Sequence, residues 1–223
     1  MQAYIANLNE ELNLEKIKDK AYIVYFSGND YQNDDFNEFK SDNLILIKDL
    51  KKDIEKSVDF LDTIIFSGGN PCLQRLALLD LCRFAKLKKL KTILFSNGTK
   101  PETIRSLIKE DLIDEINLNL NSPFNHLFDK ITKSSTFFKQ SDEIIEDIKK
   151  SIELINKNKI KFNIITKLNK EILIEKNNLL LIAKIFNENN ANWKIEKNGH
   201  SDRLIETIKD MCKEMNINFI DEI

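Results

Sequence analysis

Three stretches of this chain place glycine, serine and asparagine directly after an apolar run, and these are where chemistry is expected. They are Phe66-Ser67-Gly68-Gly69-Asn70-Pro71, Phe95-Ser96-Asn97-Gly98-Thr99 and Leu118-Asn119-Leu120-Asn121-Ser122-Pro123. Ligands of parallel α/β folds gather at the carboxyl ends of strands, and glycine there lets backbone N–H groups approach them closely. The same residues also suit a plain strand-to-helix turn, because glycine and Asn-Gly are common turn formers.

Other reactive side chains carry less. Cys72, Cys82 and Cys212 are an odd number, far apart and without paired metal-ligand spacing, so buried free thiols are expected rather than disulfides or a zinc site. Asp30, Asp34 and Asp35 form an acidic cluster that hard cations favour, but it lacks the spacing and glycine of a calcium loop and reads as a solvated acidic loop. His126 and His200 have no partner in sequence for metal binding or acid–base work. Lys86, Lys88, Lys89 and Lys91 make a short basic run that complements a helix end. No catalytic residue and no metal ligand is assigned.

The elements that must position these residues alternate. Strands are expected at Tyr22–Phe26, Thr63–Phe66, Thr92–Phe95, Ile116–Leu120, Ile160–Ile165 and Trp193–Ile195, several of them apolar on both faces as parallel strands are. Helical periods lie between: Leu73–Lys88, with Leu76, Leu79, Cys82, Phe84 and Leu87 on the buried face; Pro101–Leu112; and Ser141 onward through Ile144, Ile148, Ile152 and Ile155. Asn177–Phe186 and Ser201–Met215 supply two more. Residues 123–140 lack a clear period, and Phe137-Phe138 within them, like Trp193, is a candidate interface anchor.

Repeated βα units in 223 residues without a linker or composition shift predict a single domain over 1–223. Lys and Arg number 34 against 36 Asp and Glu, so no whole-chain charge draws the protein to nucleic acid or an anionic membrane. With no apolar run near the ~18 residues of a spanning helix, a cytoplasmic location is expected.

In this order and spacing the three strand-end motifs resemble the radical S-adenosylmethionine (SAM) superfamily, in particular the activating enzymes of anaerobic ribonucleotide reductase and other glycyl-radical enzymes. Gly68-Gly69-Asn70-Pro71 is similar to that family's GGEP, Ser96-Asn97-Gly98-Thr99 to its TNGT, and Ile113-Asp114 through Pro123 to its IDxxxxDLKAP. The resemblance covers nearly the whole chain and implies an incomplete (βα)6-type TIM barrel with a mostly parallel sheet. It implies cofactor contacts at Gly68, Gly69, Asn70, Pro71, Ser96, Asn97, Gly98, Asn119 and Asn121.

The departures from that pattern are equally specific. Where the family places CxxxCxxC, this chain has Asn29, Asn33 and Phe36; the motif glutamate is Asn70; the DLK acid and base are Asn119 and Asn121; and Asn163-Ile164-Ile165 replaces a polar RTT wall with an apolar one. A [4Fe-4S] cluster needs thiolates, so none is expected and no cofactor is assigned. The expectation is a catalytically degenerate member acting through a protein partner or as a ligand sensor. The alternatives are an activase with non-standard cluster ligation, and a SAM-binding module without chemistry.

Overall fold

The computed structural model describes residues 1–11, 20–32, 43–136, 139–168, 176–187, 191–196, 202–214 and 219–220. Among these residues nine strands form one sheet: β1 (Gln2–Glu11), β2 (Ala21–Phe26), β3 (Leu44–Leu46), β4 (Thr63–Gly68), β5 (Lys91–Ser96), β6 (Glu115–Asn119), β7 (Lys161–Lys167), β8 (Asn192–Glu196) and β9 (Phe219–Ile220). The order is β3-β1-β2-β4-β5-β6-β7-β8-β9. From β2 to β9 each neighbouring pair is parallel, while β1 runs antiparallel to both β2 and β3. The sheet therefore stays open, ending on β3 at one margin and β9 at the other, as a partial barrel does.

All six expected strands are present. β1, β3 and β9 were not expected, because the alternation of β1 is blurred by a register shift between Ile5 and Asn7, and the other two span three and two residues among those described.

Helices cover one face. They are α1 (Ile47–Ser57), α2 (Arg75–Leu87), α3 (Pro101–Lys109), α4 (Leu127–Thr132), α5 (Ser141–Lys157), α6 (Lys176–Asn187) and α7 (Asp202–Glu214). Alternate strand residues such as Val24, Phe66, Leu94, Ile116, Ile164 and Trp193 point into this layer and join the helices in one core. α5 shows why such helices form. Gln140 and Glu143 cap its first turn reciprocally, and Ile144, Ile148, Ile152 and Ile155 make the buried stripe read from the sequence. In α2 the expected face holds in part: Leu79 and Cys82 are buried, Leu76 and Leu87 are exposed, and Ala77, Leu78, Leu81 and Ala85 are buried in their place. The segment is apolar nearly all round, so its period does not fix a face, and the two alanines allow close approach to neighbouring elements.

The other face of the sheet is the inner one. Ala21, Ile23, Ile65 and Ile93 form a separate small cluster of strand residues there, with Tyr25 and Phe95 against it.

Candidate functional site

The strand ends meet as the sequence motifs require. Gly68 has φ +99°, and a Cβ on it would lie 2.5 Å from the Phe26 carbonyl oxygen. Gly69 is tighter still, with Gly28 beneath it. The Gly69 N–H donates to the Phe26 carbonyl (3.0 Å) and the Asn70 N–H to the Gly28 carbonyl (2.8 Å). These two N–H groups thus bind the loop that follows β2, and the glycine pair exists because two backbones touch there. Pro71 opens a 3-10 turn (Pro71–Gln74), whose Cys72 N–H is capped by Asn70 Oδ1 at 3.3 Å.

Above this floor lies a polar network that gathers Asn70, Ser96 and Asn97 around Asp30, which the sequence reads only as part of an acidic loop. Asp30 Oδ1 accepts from Asn70 Nδ2 (3.1 Å) and Asn97 Nδ2 (2.6 Å); Oδ2 accepts from the Thr99 hydroxyl and pairs with Lys100 Nζ at 3.3 Å. Asn70, fully buried, also donates to Asn97 Oδ1 (2.8 Å) and Thr99 Oγ1 (3.2 Å), and its Oδ1 accepts from Ser96 Oγ (3.1 Å). Burial opposes the charged form of Asp30, but the hydrogen bonds from Thr99 and Asn97, the Lys100 charge and the Asn70 amide outweigh it and lower its pKa. Asp30 therefore belongs to the site rather than to a solvated acidic loop; Asp34 and Asp35 lie outside the described residues. The signal that could have found it is position, since it stands one residue after Gly28-Asn29, beside both motif loops.

Gly98 takes φ +77°, and its carbonyl accepts from Ser151 on α5 at 2.6 Å. Asn119 and Asn121 stand apart from the Asp30 network. Asn121 Oδ1 accepts from the Lys167 N–H at 2.9 Å and so ties β6 to β7, while Asn119 lies on the inner face. A cavity of about 260 Å³ adjoins the network, lined in part by Asn29, Asp30, Tyr31, Thr99 and Lys100. Burial, and secondarily the Asp30 charge, raises the Tyr31 phenol pKa. Tyr31 packs edge-on to Phe128 with ring centroids 6.2 Å apart.

The inner face changes character across the sheet. Its β2, β4 and β5 side is apolar, while β6 to β8 carry Glu115, Asn117, Asn163 and Asn192. Asn163 Nδ2 donates to Glu115 Oε1 (2.9 Å) and Asn117 Oδ1 (2.8 Å), and Asn192 Nδ2 donates to Asn163 Oδ1 (3.1 Å). Glu115 pairs with Lys161 (2.9 Å) and Lys91 (3.2 Å). The wall is thus polar at Asn163 and apolar only at Ile165, two residues on along the same face, whereas Ile164 turns to the helix side.

Several other readings resolve simply. Trp193 is fully buried and donates to Thr166 Oγ1 at 3.1 Å, so it is a core residue. Lys86 pairs with Asp114, Lys88 with Glu55 and Lys91 with Glu115, which leaves little of the basic run for an outside anion. His126 is exposed; His200, Phe137 and Phe138 lie outside the described residues. No helix among the described residues is long and apolar enough to cross a membrane.

The donor chemistry does not fit the iron–sulfur cluster that the resemblance implies. The first cysteine position is Asn29, whose Oδ1 accepts from the Tyr31 N–H and from Asn97 Nδ2, both at 3.2 Å. Asn33 and Phe36 lie outside the described residues, but neither an amide nor a phenyl ring replaces a thiolate. The three thiols are buried and free. Burial pushes Cys72 up to about 12 and Cys212 to about 11, and it raises Cys82 as well. Cys72 is held against Ser96 Oγ at 3.5 Å within the helix-side core.

The comparisons agree with the fold. A Methanocaldococcus jannaschii protein named as a glycyl-radical enzyme activating enzyme is 36% identical over 111 residues, which is 49% of this chain and 45% of that protein. Streptococcus suis SuiB bound to S-adenosylmethionine superposes with a TM-score of 0.59 at 19% identity, over 82% of this chain and 45% of SuiB. Escherichia coli QueE gives 0.56 at 11% identity, over 98% of this chain and 93% of QueE. At such identities the two structures speak for the fold alone. The model of the Radical SAM superfamily matches residues 25–175, well over half of the chain, and with the partial barrel and its three strand-end motifs this places the protein in the radical SAM superfamily.

Proposed function

We propose that this chain is a radical SAM superfamily member that has given up the iron–sulfur cluster and works through contacts with a protein partner or by sensing a ligand, in the cytoplasm. The observation that carries this reading is the Asp30 network. The polar groups of the loops after β4 and β5 are bonded to one another and to Asp30, Asn70 to Asp30, Asn97, Thr99 and Ser96, instead of standing open to a cofactor. The adjoining cavity of about 260 Å³ is also smaller than the roughly 300–1,000 Å³ of ordinary small-molecule pockets. The test is anaerobic purification and reconstitution with iron and sulfide. The expected product is a colourless protein without stoichiometric iron; a broad absorbance band near roughly 400 nm with four bound irons would overturn the reading.

The second reading is an activating enzyme with non-standard cluster ligation, and the identity to the Methanocaldococcus jannaschii protein favours it. Under strong reduction with SAM such an enzyme releases 5′-deoxyadenosine, and the degenerate protein releases none. A chain that binds SAM without chemistry gives a third result. SAM at about 100 times its dissociation constant would then raise unfolding free energy by roughly 2.7 kcal/mol with no product formed.

A further inference from the structure

The hydrogen-bonding capacity left over on the inner face is concentrated at the carboxyl end of β6 and on β8. Asn117 is 3% exposed, and its Oδ1 is taken by Asn163, yet its Nδ2 has no partner among the described residues. Asn119, two residues further along the same face, makes no side-chain hydrogen bond among the described residues, and it is only half-buried. Lys194 forms no ion pair within 4 Å among the described residues, and it is half-buried too. The register brings the three together. Asn119 is paired with Ile165 and Ile165 with Lys194, so one strand separates the amide from the ammonium, and Asn117 lies one layer below. Adjacent strands stand about 4.8 Å apart, which sets these donors within reach of one small ligand.

Two further facts fix the character of that ligand. Glu115, the carboxylate whose charge acts on Lys194, is already held by Lys91, Lys161 and Asn163. The neighbour of Asn117 on its other side is Phe95, a half-buried ring that continues into the apolar cluster of Ile65 and Ile93. Unused donors and a cation therefore border a flat apolar wall.

We infer that the inner face at Asn117, Asn119 and Lys194 binds a small organic anion, a carboxylate or phosphate whose apolar body lies against Phe95. This assignment rests on the proposed ligand-sensing role and gives it a chemical class. Burial lowers the Lys194 pKa while the Glu115 charge raises it, and the neighbouring Lys161 and Lys91 lower it further. An arriving anion relieves that crowding of positive charge, which favours ligands that bear a full negative charge over neutral amides.

The test uses the full chain and three probes in millimolar titrations followed by backbone-amide NMR: benzoate, phenyl phosphate and the uncharged benzamide. At least one anion binds about tenfold more tightly than benzamide, as charge-assisted hydrogen bonds require, and which one binds separates a carboxylate from a phosphate. Lys194→Gln lowers that affinity by about tenfold while the circular dichroism and melting temperature stay near those of the parent, and Asn119→Ala lowers it less. Lys161→Gln removes a charge from the same Glu115 but from a side chain that is 60% exposed, and it changes anion affinity by less than about twofold. Absence of anion binding, equal binding of benzamide, or full affinity in Lys194→Gln each overturns the assignment. Iron content is read on the same samples, so a bound cluster defeats the degenerate reading without touching the anion site, and failed titrations do the reverse.

Discussion

Gly69 lies directly against Gly28: a Cβ built on Gly69 would stand 2.0 Å from the Gly28 carbonyl oxygen and 2.7 Å from its carbonyl carbon. Both atoms are backbone, so nothing flexible can move aside, and Gly69→Ala must part the β2 and β4 loops. We expect a loss of roughly 2–3 kcal/mol in urea unfolding, near the upper end for overpacked sites. Gly98→Ala meets only the side chains of Ile148 and Leu118 at 3.4 Å, so its cost is the left-handed backbone alone, about 1 kcal/mol. A Gly69→Ala protein as stable as the parent would contradict this packing.

Asp30→Asn replaces an acceptor by an amide facing the donors of Asn70 and Asn97. At neutral pH the variant should lose roughly 2–3 kcal/mol, the scale of hydrogen bonds to a charged group. The folded pKa of Asp30 is depressed below its ordinary 3.8. Its contribution is therefore fully present above that value and disappears as pH falls below it through the folded pKa. Parent and variant should accordingly converge in stability toward acid pH, and parallel unfolding curves at pH 7 and in acid would measure it. A gap that stays constant would show that Asp30 acts by shape alone.

Thiol chemistry gives a third check. With Cys72, Cys82 and Cys212 buried and their pKa values raised, the native protein should react with Ellman's reagent only as fast as it opens. In denaturant all three thiols of the sequence should titrate at once. A rapidly reacting thiol in the native state would place a cysteine at the surface.

The single tryptophan reports on the core. Trp193→Phe removes the indole donor to Thr166 Oγ1 but leaves that hydroxyl donating to the Leu120 carbonyl at 2.9 Å. We expect a loss of about 1–2 kcal/mol, smaller than the roughly 3–5 kcal/mol of Trp193→Ala. The emission of the parent should be that of a buried indole and shift red on unfolding.

The parallel core and its loops were legible in sequence because each strand is a short run of β-branched and apolar residues closed by glycine or asparagine, and each helix of the α5 kind has one unambiguous stripe. What escaped was set by partners far away in sequence. The local sequence shows Asp30 as one of three acidic loop residues; its meeting with Asn97 and Thr99, 67 and 69 residues on, makes it a site residue. The face of α2 was hidden because Leu-Ala-Leu-Leu is apolar in every direction. Asn163 was lost among isoleucines because strand alternation, not local composition, decides what faces inward.

The β3 margin carries a consequence of its own. Three residues, Leu44 to Leu46, pair with β1 there before helix α1 begins at Ile47. A foreign strand that tried to extend the array from that border would find a template too brief to hold it, and short borders of this kind are one way natural folds discourage runaway stacking between molecules. Growth into fibrils from that border is thereby disfavoured even though, among the described residues, the sheet ends there unpaired.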